Sequence, residues 1–129
     1  GKLTKLKELG VILNQLTDIP DELCNLGKLK YLILASNRII NIPSNIHHLV
    51  KLEHMDMSHN DIVEIPENLY KLINLKKLYI EHNEIRYISS NIENLTNLET
   101  LFINGNRFTS IPIELRRMMQ VSLKLFVRS

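Results

Sequence analysis

Three side chains that could carry chemistry lie within the segment LEHMDMSHNDIVEIP, residues 52–66: His54, Asp56 and His59. Two imidazoles and a carboxylate can ligate zinc or relay a proton. A zinc site needs three or four well-aimed donors, and catalysis needs an enclosed pocket. The elements that position these residues therefore decide between a reactive site and a row of polar surface residues.

A period of 23 residues organises the chain. Leucine recurs at this step at Leu26, Leu49, Leu72 and Leu95. Asparagine recurs at Asn14, Asn37, Asn60, Asn83 and Asn106. Proline recurs at Pro20, Pro43, Pro66 and Pro112, and Ser89 stands where the series would have another proline. In-phase copies of this kind predict stacked structural units that share one continuous core.

Five complete repeats span residues 3–117, and the pattern then weakens. In the segment that follows, Leu123 and Leu125 stand 22 residues after Leu101 and Ile103, and no asparagine comes after them. We interpret residues 118–129 as a degenerate closing strand. The sequence thus predicts a single domain over residues 1–129.

The repeat reads L-x-x-L-x-x-L-x-L-x-x-N-x-I-x-x-I-P-x-x-I, and it resembles that of leucine-rich-repeat proteins over nearly the whole chain. The 23-residue form with Ile-Pro is most similar to the intracellular Ras-suppressor and scaffold group of that family. The resemblance implies an α/β solenoid with a curved parallel sheet on its concave face. It also implies irregular or 3₁₀ segments on the convex face, and a signalling or scaffolding partner such as a small GTPase or a phosphatase.

The residue types agree with this architecture. In LKYLILASN, residues 29–37, Leu32 and Leu34 alternate with Ile33, which is the pattern of a strand with one buried face. The asparagine series is predicted to be a structural ladder, because an amide can both donate to and accept from buried backbone at the end of each strand. Proline after the isoleucine fixes φ and removes a donor, which suits a convex side with little regular helix.

Strand parity places the residues between the leucines on the concave face, and the two histidines and the aspartate of residues 52–66 are among them. Stacked repeats bring nine such residues together as a predicted protein-binding surface: Tyr31, Ile33, His54, Asp56, His59, Lys77, Tyr79, His82 and Phe102. Large aromatic side chains around a polar centre are typical of interface hot spots. The alternative is a solvated sheet with scattered apolar residues.

His59 and His82 occupy one column of adjacent repeats. They could chelate zinc or respond together to pH, although the only further donors nearby are Asp56 and Glu81. Ordinary surface histidines are the alternative, and we predict no metal. Cys24 falls in a column with no apolar requirement and is predicted to be partly exposed.

Composition sets further limits. The net charge is +2, the acids and bases are interspersed, and one cysteine permits no internal disulfide. We therefore expect a cytoplasmic chain without a nucleic-acid or membrane partner. The sequence has no phosphate-binding glycine loop and no Cys-x-x-Cys or His-Glu-x-x-His motif, so we expect no cofactor and no catalysis.

These features predict a monomeric module that binds a protein on its concave face. An alternative is the recognition part of a larger signalling enzyme or effector, such as a kinase or a ubiquitin ligase.

Overall fold

A computed structural model describes residues 5–12, 14–121 and 125–129 of the 129-residue chain. Its strands form one parallel sheet in sequence order: β1 Glu8–Gly10, β2 Tyr31–Ile33, β3 His54–Asp56, β4 Lys77–Tyr79, β5 Thr100–Phe102 and β6 Phe126–Arg128. The register from β1 to β5 advances by 23 residues per strand, so that Leu32 lies opposite Met55 and Met55 opposite Leu78. These central residues are buried, which confirms the predicted curved sheet and its inward-facing column.

Short 3₁₀ helices return the chain along the convex side: Asp21–Asn25, Ser44–His48, Glu67–Lys71 and Ser90–Asn94. Pro20, Pro43 and Pro66 stand immediately before the first three, with φ between −61° and −65° and ψ between 140° and 146°. Proline is preorganised for this position, and its missing N–H needs no partner there. The convex side therefore has the compact 3₁₀ geometry that the sequence predicted.

The asparagine series joins each repeat to the one before it. Asn60 donates from Nδ2 to the carbonyl of Leu34 at 2.9 Å, and its Oδ1 accepts from the N–H of Ile39 at 3.0 Å. Asn37, Asn83 and Asn106 repeat this arrangement. Asn14 differs, because it is exposed and donates to the carbonyl of Ile12 in its own repeat. Among the described residues, Asn14 therefore joins no two repeats, contrary to its prediction as a member of the ladder.

A second set of asparagines, which the 23-residue pattern at the strand ends did not reveal, also links neighbouring repeats, here through their Nδ2 donors. Asn74 donates to the carbonyl of Val50 and Asn97 to that of Ile73, both at 2.8 Å, and Asn68 donates to Ser44 at the same distance. Each partner lies 24 residues earlier. These asparagines also recur at a step of 23 residues, so a search of every position in the repeat, and not only of the strand end, could have found them.

The exception to the proline series has a structural cause. Ser89 keeps its backbone N–H, and this buried group donates to the phenolic oxygen of Tyr70 at 3.1 Å. The Ser89 hydroxyl accepts from the N–H of Asn91 and donates to the Glu67 carboxylate at 3.2 Å. The tyrosine thus satisfies a donor that proline would have removed.

The strand at the C-terminal edge of the sheet lies in a different register from the one that the sequence predicted. Residues Ile113–Val121 form the α-helix α1, and β6 follows with Val127 opposite Leu101, 26 residues earlier. The 22-residue register predicted for Leu125 is therefore wrong, and Leu123 lies outside the described residues. An α-helix advances only about 1.5 Å per residue, so this last repeat uses three residues more than the regular 23 before the chain returns to the sheet.

The prediction for Cys24 was also wrong. It lies in the first 3₁₀ helix with only 1% of its surface exposed. Burial, assisted by the nearby Asp21 carboxylate, raises the pKa of this thiol to about 11. The column is mixed: Tyr70 fills the core at the equivalent position two repeats later, whereas Glu93 one repeat beyond is exposed. Column composition therefore failed as a guide to burial here.

Candidate functional site: the concave face

Two columns of side chains flank the buried centre of the sheet. The register aligns Glu8, Tyr31, His54, Lys77, Thr100 and Phe126 in one column. It aligns Gly10, Ile33, Asp56, Tyr79, Phe102 and Arg128 in the other. The structure thus brings the predicted strand residues together on one face. Arg128 and Phe126 join them because of the revised register of β6.

Aromatic rings make a continuous ladder across five strands, from Tyr31 through His54, Tyr79 and Phe102 to Phe126. The His54 ring meets the Tyr79 ring edge-on at 5.2 Å between centroids, and Tyr79 meets Phe102 at 4.8 Å. Tyr31 and Phe126 extend the ladder at 6.2 and 6.0 Å. Such contacts orient the rings and add to their packing energy. The concave face therefore presents an ordered aromatic strip rather than isolated apolar residues.

Three of the predicted concave side chains are less accessible than strand parity alone predicted. Tyr31 is 42% exposed, but Ile33, Tyr79 and Phe102 are half-buried, each covered in part by its neighbours. The Arg128 guanidinium lies over the Phe102 ring, 4.6 Å from the centroid, within the range of a cation–π interaction. Tyr79 and Phe102 nevertheless lie outside the buried core. They remain part of the surface.

An open depression of about 500 Å³, hereafter the central depression, lies beside this ladder. Asp56, Ser58 and Glu81 line it together with Tyr79, Phe102, Arg128 and the His59 and His82 rings. Ser58 lies next to the ladder and is only 7% exposed. Its N–H and hydroxyl both donate to Asp56 Oδ1, at 3.0 and 2.7 Å. These bonds hold the Asp56 carboxylate in place.

Two titratable groups of the concave face, Glu81 and His54, have pKa values shifted in opposite directions. Burial, followed by the negative charge of Asp56, raises the pKa of Glu81 above its ordinary value. Burial, followed by the Lys77 charge, lowers the pKa of His54, and Asp56 opposes that shift. Exposed Lys77 therefore lies near enough to influence the ladder. Each shift disfavours the charged form of its group.

His59 and His82 occupy an unusual backbone position at the edge of the depression. Ser36, His59 and His82 have φ of 58°, 55° and 57°, and Gly105 continues the column at 71°. The two imidazoles stack at 4.4 Å with 18° between their planes. A Cβ on Gly105 would lie 2.5 Å from His82 Nδ1, so the glycine makes room for the ring. Leu13, the first residue of this column, lies outside the described residues.

Stacking has a chemical consequence for the zinc alternative. A metal binds an imidazole nitrogen in the plane of its ring, about 2.0–2.1 Å away. The two nearly parallel planes do not converge on a common point at that distance. In residues 5–12, 14–121 and 125–129, no group of three or more His, Cys, Asp or Glu side chains is arranged to hold a metal ion. Over the same ranges, no helix is both long and apolar enough to cross a membrane.

Comparison with known proteins identifies the architecture. Residues 13–125 match the family described as Leucine-rich repeat region. The internalin inlF of Listeria monocytogenes is 30% identical with a TM-score of 0.83, over 98% of this chain and 35% of that one. The plant peptide hormone receptor RGFR1, solved in complex with RGF2, is 35% identical with a TM-score of 0.84, over 96% and 20%.

A third similar structure is the ectodomain of the membrane receptor kinase GASSHO1/SCHENGEN3 from Arabidopsis thaliana, in complex with CASPARIAN STRIP INTEGRITY FACTOR 2. It is 29% identical with a TM-score of 0.87, over 98% of this chain and 16% of that one. The chain thus spans about a third or less of the length of these three structures. No curated protein matches it. The repeat pattern, the parallel sheet and the family match agree, and the chain belongs to the leucine-rich-repeat family.

Proposed function

We propose that this chain binds a protein partner on the concave face of its sheet and has no catalytic activity of its own. The observation that carries the proposal is the aromatic ladder, which runs over the concave face beside the central depression. Aromatic side chains held by neighbouring strands lose little conformational entropy on binding. The leucine-rich-repeat fold is a typical protein–protein interaction module, which supports the same function.

Two of the similar structures are complexes, RGFR1 with RGF2 and GASSHO1/SCHENGEN3 with CASPARIAN STRIP INTEGRITY FACTOR 2. They support a protein or peptide as the partner of this chain. The Ile-Pro repeat, similar to that of the Ras-suppressor group, supports a scaffolding role in signalling. The lone, buried Cys24 favours a reducing compartment, and we therefore propose that the protein is cytoplasmic. We also propose that it is a monomer and that its partner is neither a nucleic acid nor a membrane.

A second candidate is the recognition part of a larger signalling enzyme or effector. It is favoured by one observation: the chain spans 16% of a receptor kinase ectodomain and 20% of a peptide hormone receptor. Reading the native gene beyond both ends of this sequence separates the two candidates. A kinase or ubiquitin-ligase domain in the same reading frame would favour the second.

Selection of a random peptide library on the immobilised protein tests binding to the concave face. Peptides that bind the wild type should bind the double variant Tyr79→Ala/Phe102→Ala about thirty-fold more weakly, because hot-spot aromatics contribute about 2 kcal/mol or more. Tyr87→Ala is the matched control, since this ring is 67% exposed and lies off the concave face. Peptides that bind all three proteins equally would contradict the proposal.

A further inference from the structure

The central depression contains two carboxylates that form no ion pair within the described ranges of the chain. Asp56 ends β3 and Glu81 follows β4, so the two acids lie on adjacent strands of the same face. The ion pairs formed by the described residues are Lys30 and Lys76 with Glu53, and Arg107 with Glu84. Neither acid of the depression takes part in them. Arg128 lines the same depression but, among the described residues, forms an ion pair with neither acid, so both half-buried carboxylates can accept a further cation.

Hydrogen bonding in the depression leaves part of this negative charge available. Asp56 accepts both bonds from Ser58 on Oδ1. Among the residues that the structure describes, no donor reaches its Oδ2. Partial burial, followed by the Asp56 charge, raises the pKa of Glu81, and hydrogen bonding from its own backbone and Ser58 together with the His59 charge only partly opposes that shift. A cation seated between the two acids would offset both effects on Glu81, because opposite charge favours the ionised form.

The surroundings favour a side-chain cation over a metal ion. No third metal ligand joins the two carboxylates in the described ranges, whereas the rings of Tyr79 and Phe102 line the same depression. The chain already demonstrates how such a ring accepts a guanidinium, because Arg128 lies over Phe102 at 4.6 Å. A planar guanidinium can donate to two carboxylates while stacking on an aromatic ring, which a lysine ammonium does less well.

We propose that the central depression binds an arginine side chain of the partner protein, with Asp56 and Glu81 accepting its hydrogen bonds and Tyr79 packing beside it. This inference rests on the proposed function, since the partner supplies the arginine. It adds a specificity that the aromatic ladder alone does not provide. The partner segment should carry arginine where it crosses β3 and β4.

N-acetyl-arginine amide, titrated into the ¹⁵N-labelled protein and followed by NMR, tests the subsite directly. It should shift the amide signals of Asp56, Tyr79 and Glu81 in a saturable manner at millimolar concentration. N-acetyl-citrulline amide has nearly the same shape without the charge and should not do so. Equal shifts from both compounds would overturn the proposal, because ring stacking alone would then explain binding.

The variant Asp56→Asn/Glu81→Gln removes both charges and keeps an oxygen that can accept the Ser58 bonds. Its affinity for the arginine amide should fall about ten-fold or more, as expected for charge-assisted hydrogen bonds. Glu8→Gln is the matched control, because it removes a carboxylate from β1 on the same face. Should the double variant fail to fold, Glu81→Gln alone should weaken binding several-fold. Undiminished binding by a folded variant would refute the inference.

The two proposals can fail separately. If library peptides depend on Tyr79 and Phe102 but show no enrichment in arginine and bind Asp56→Asn/Glu81→Gln normally, the arginine subsite is wrong and concave binding stands. If peptide binding is indifferent to Tyr79 and Phe102, the proposed function itself is wrong. Enrichment in arginine, lost with the double charge variant, supports both.

Discussion

Tyr70 and Ser89 form a pair whose energetic coupling can be measured. The tyrosine ring is 2% exposed and its oxygen accepts the N–H of Ser89, which is itself buried. Burial raises the pKa of Tyr70 to about 12, so the hydroxyl stays protonated under ordinary conditions. Ser89 has φ of −68° and ψ of 152°, close to the values of the prolines in the other repeats. Proline is therefore compatible with this backbone.

Each single substitution should leave one buried group without its partner. Tyr70→Phe removes the acceptor and leaves the Ser89 N–H unpaired, at a cost of about 1–3 kcal/mol in the free energy of unfolding. Ser89→Pro leaves the Tyr70 hydroxyl unpaired and places a ring carbon where the N–H pointed. The double variant leaves neither group, so it should be more stable than the sum of the two losses predicts, by about 1–2 kcal/mol.

Urea unfolding followed by circular dichroism measures these free energies, with the m-value as a check that the array still unfolds as one unit. Ser89→Pro also removes the hydroxyl that accepts from Asn91. Ser89→Ala isolates that loss, since alanine keeps the backbone N–H. We therefore expect Tyr70→Phe to couple with Ser89→Pro but to be additive with Ser89→Ala.

Additive losses in the proline cycle, within about 0.3–0.5 kcal/mol, would refute this account of the missing proline. The same conclusion would follow if Tyr70→Phe cost no more than Tyr87→Phe, whose ring is largely exposed. Either result would mean that solvent or another group satisfies the Ser89 N–H.

Three further substitutions test other parts of the structure. Asn60→Ala should lower the free energy of unfolding, measured by urea denaturation, by about 2–4 kcal/mol, because the Ile39 N–H and the Leu34 carbonyl lose their partner. A loss no larger than that of the exposed Asn14→Ala would contradict the structural role of the asparagine ladder. Gly105→Ala should lower the free energy of unfolding by about 1–2 kcal/mol, because the added Cβ meets the His82 ring and the backbone φ is positive. The loss should be smaller in the His82→Ala background, which lacks that ring. An unchanged melting temperature of Gly105→Ala would contradict the close packing of Gly105 on His82. Glu81→Gln should melt no lower than wild type at neutral pH, and the two should converge near about pH 3. Because the pKa of Glu81 is raised in the folded state, that state binds the Glu81 proton more tightly than the unfolded chain does. The free energy of unfolding of the wild type therefore falls as the pH rises through this pKa. A Glu81→Gln variant that is less stable than the wild type at neutral pH would contradict this sign.

The regular part of the fold was predictable because a one-residue slip would expose every central side chain. Leu32, Met55 and Leu78 can all be buried in only one register, so the 23-residue step determined which residues face the concave side. The same parity brought His54 and Asp56 to a surface instead of a reactive centre. Their partner-binding role stays a prediction.

The features that the sequence did not predict lie where one repeat differs in structure from the others. Helix α1 changed the register of β6 and so placed Arg128 over Phe102, which no 23-residue step could show. Cys24 is buried although its column is mixed, since Tyr70 at the equivalent position is also buried and Glu93 is exposed. The left-handed backbone at His59 and His82 had one sequence signal, which was Gly105 at the equivalent position of a later repeat.

Because Cys24 is buried, its reactivity can report local unfolding of the N-terminal repeats. As the single cysteine of the chain, it is closed to a thiol-reactive dye while the first 3₁₀ helix stays packed. The rate of labelling therefore reports how often the N-terminal end of the solenoid frays, without the introduction of any label site. Comparing this rate with hydrogen exchange in the central repeats would map how cooperatively the array opens.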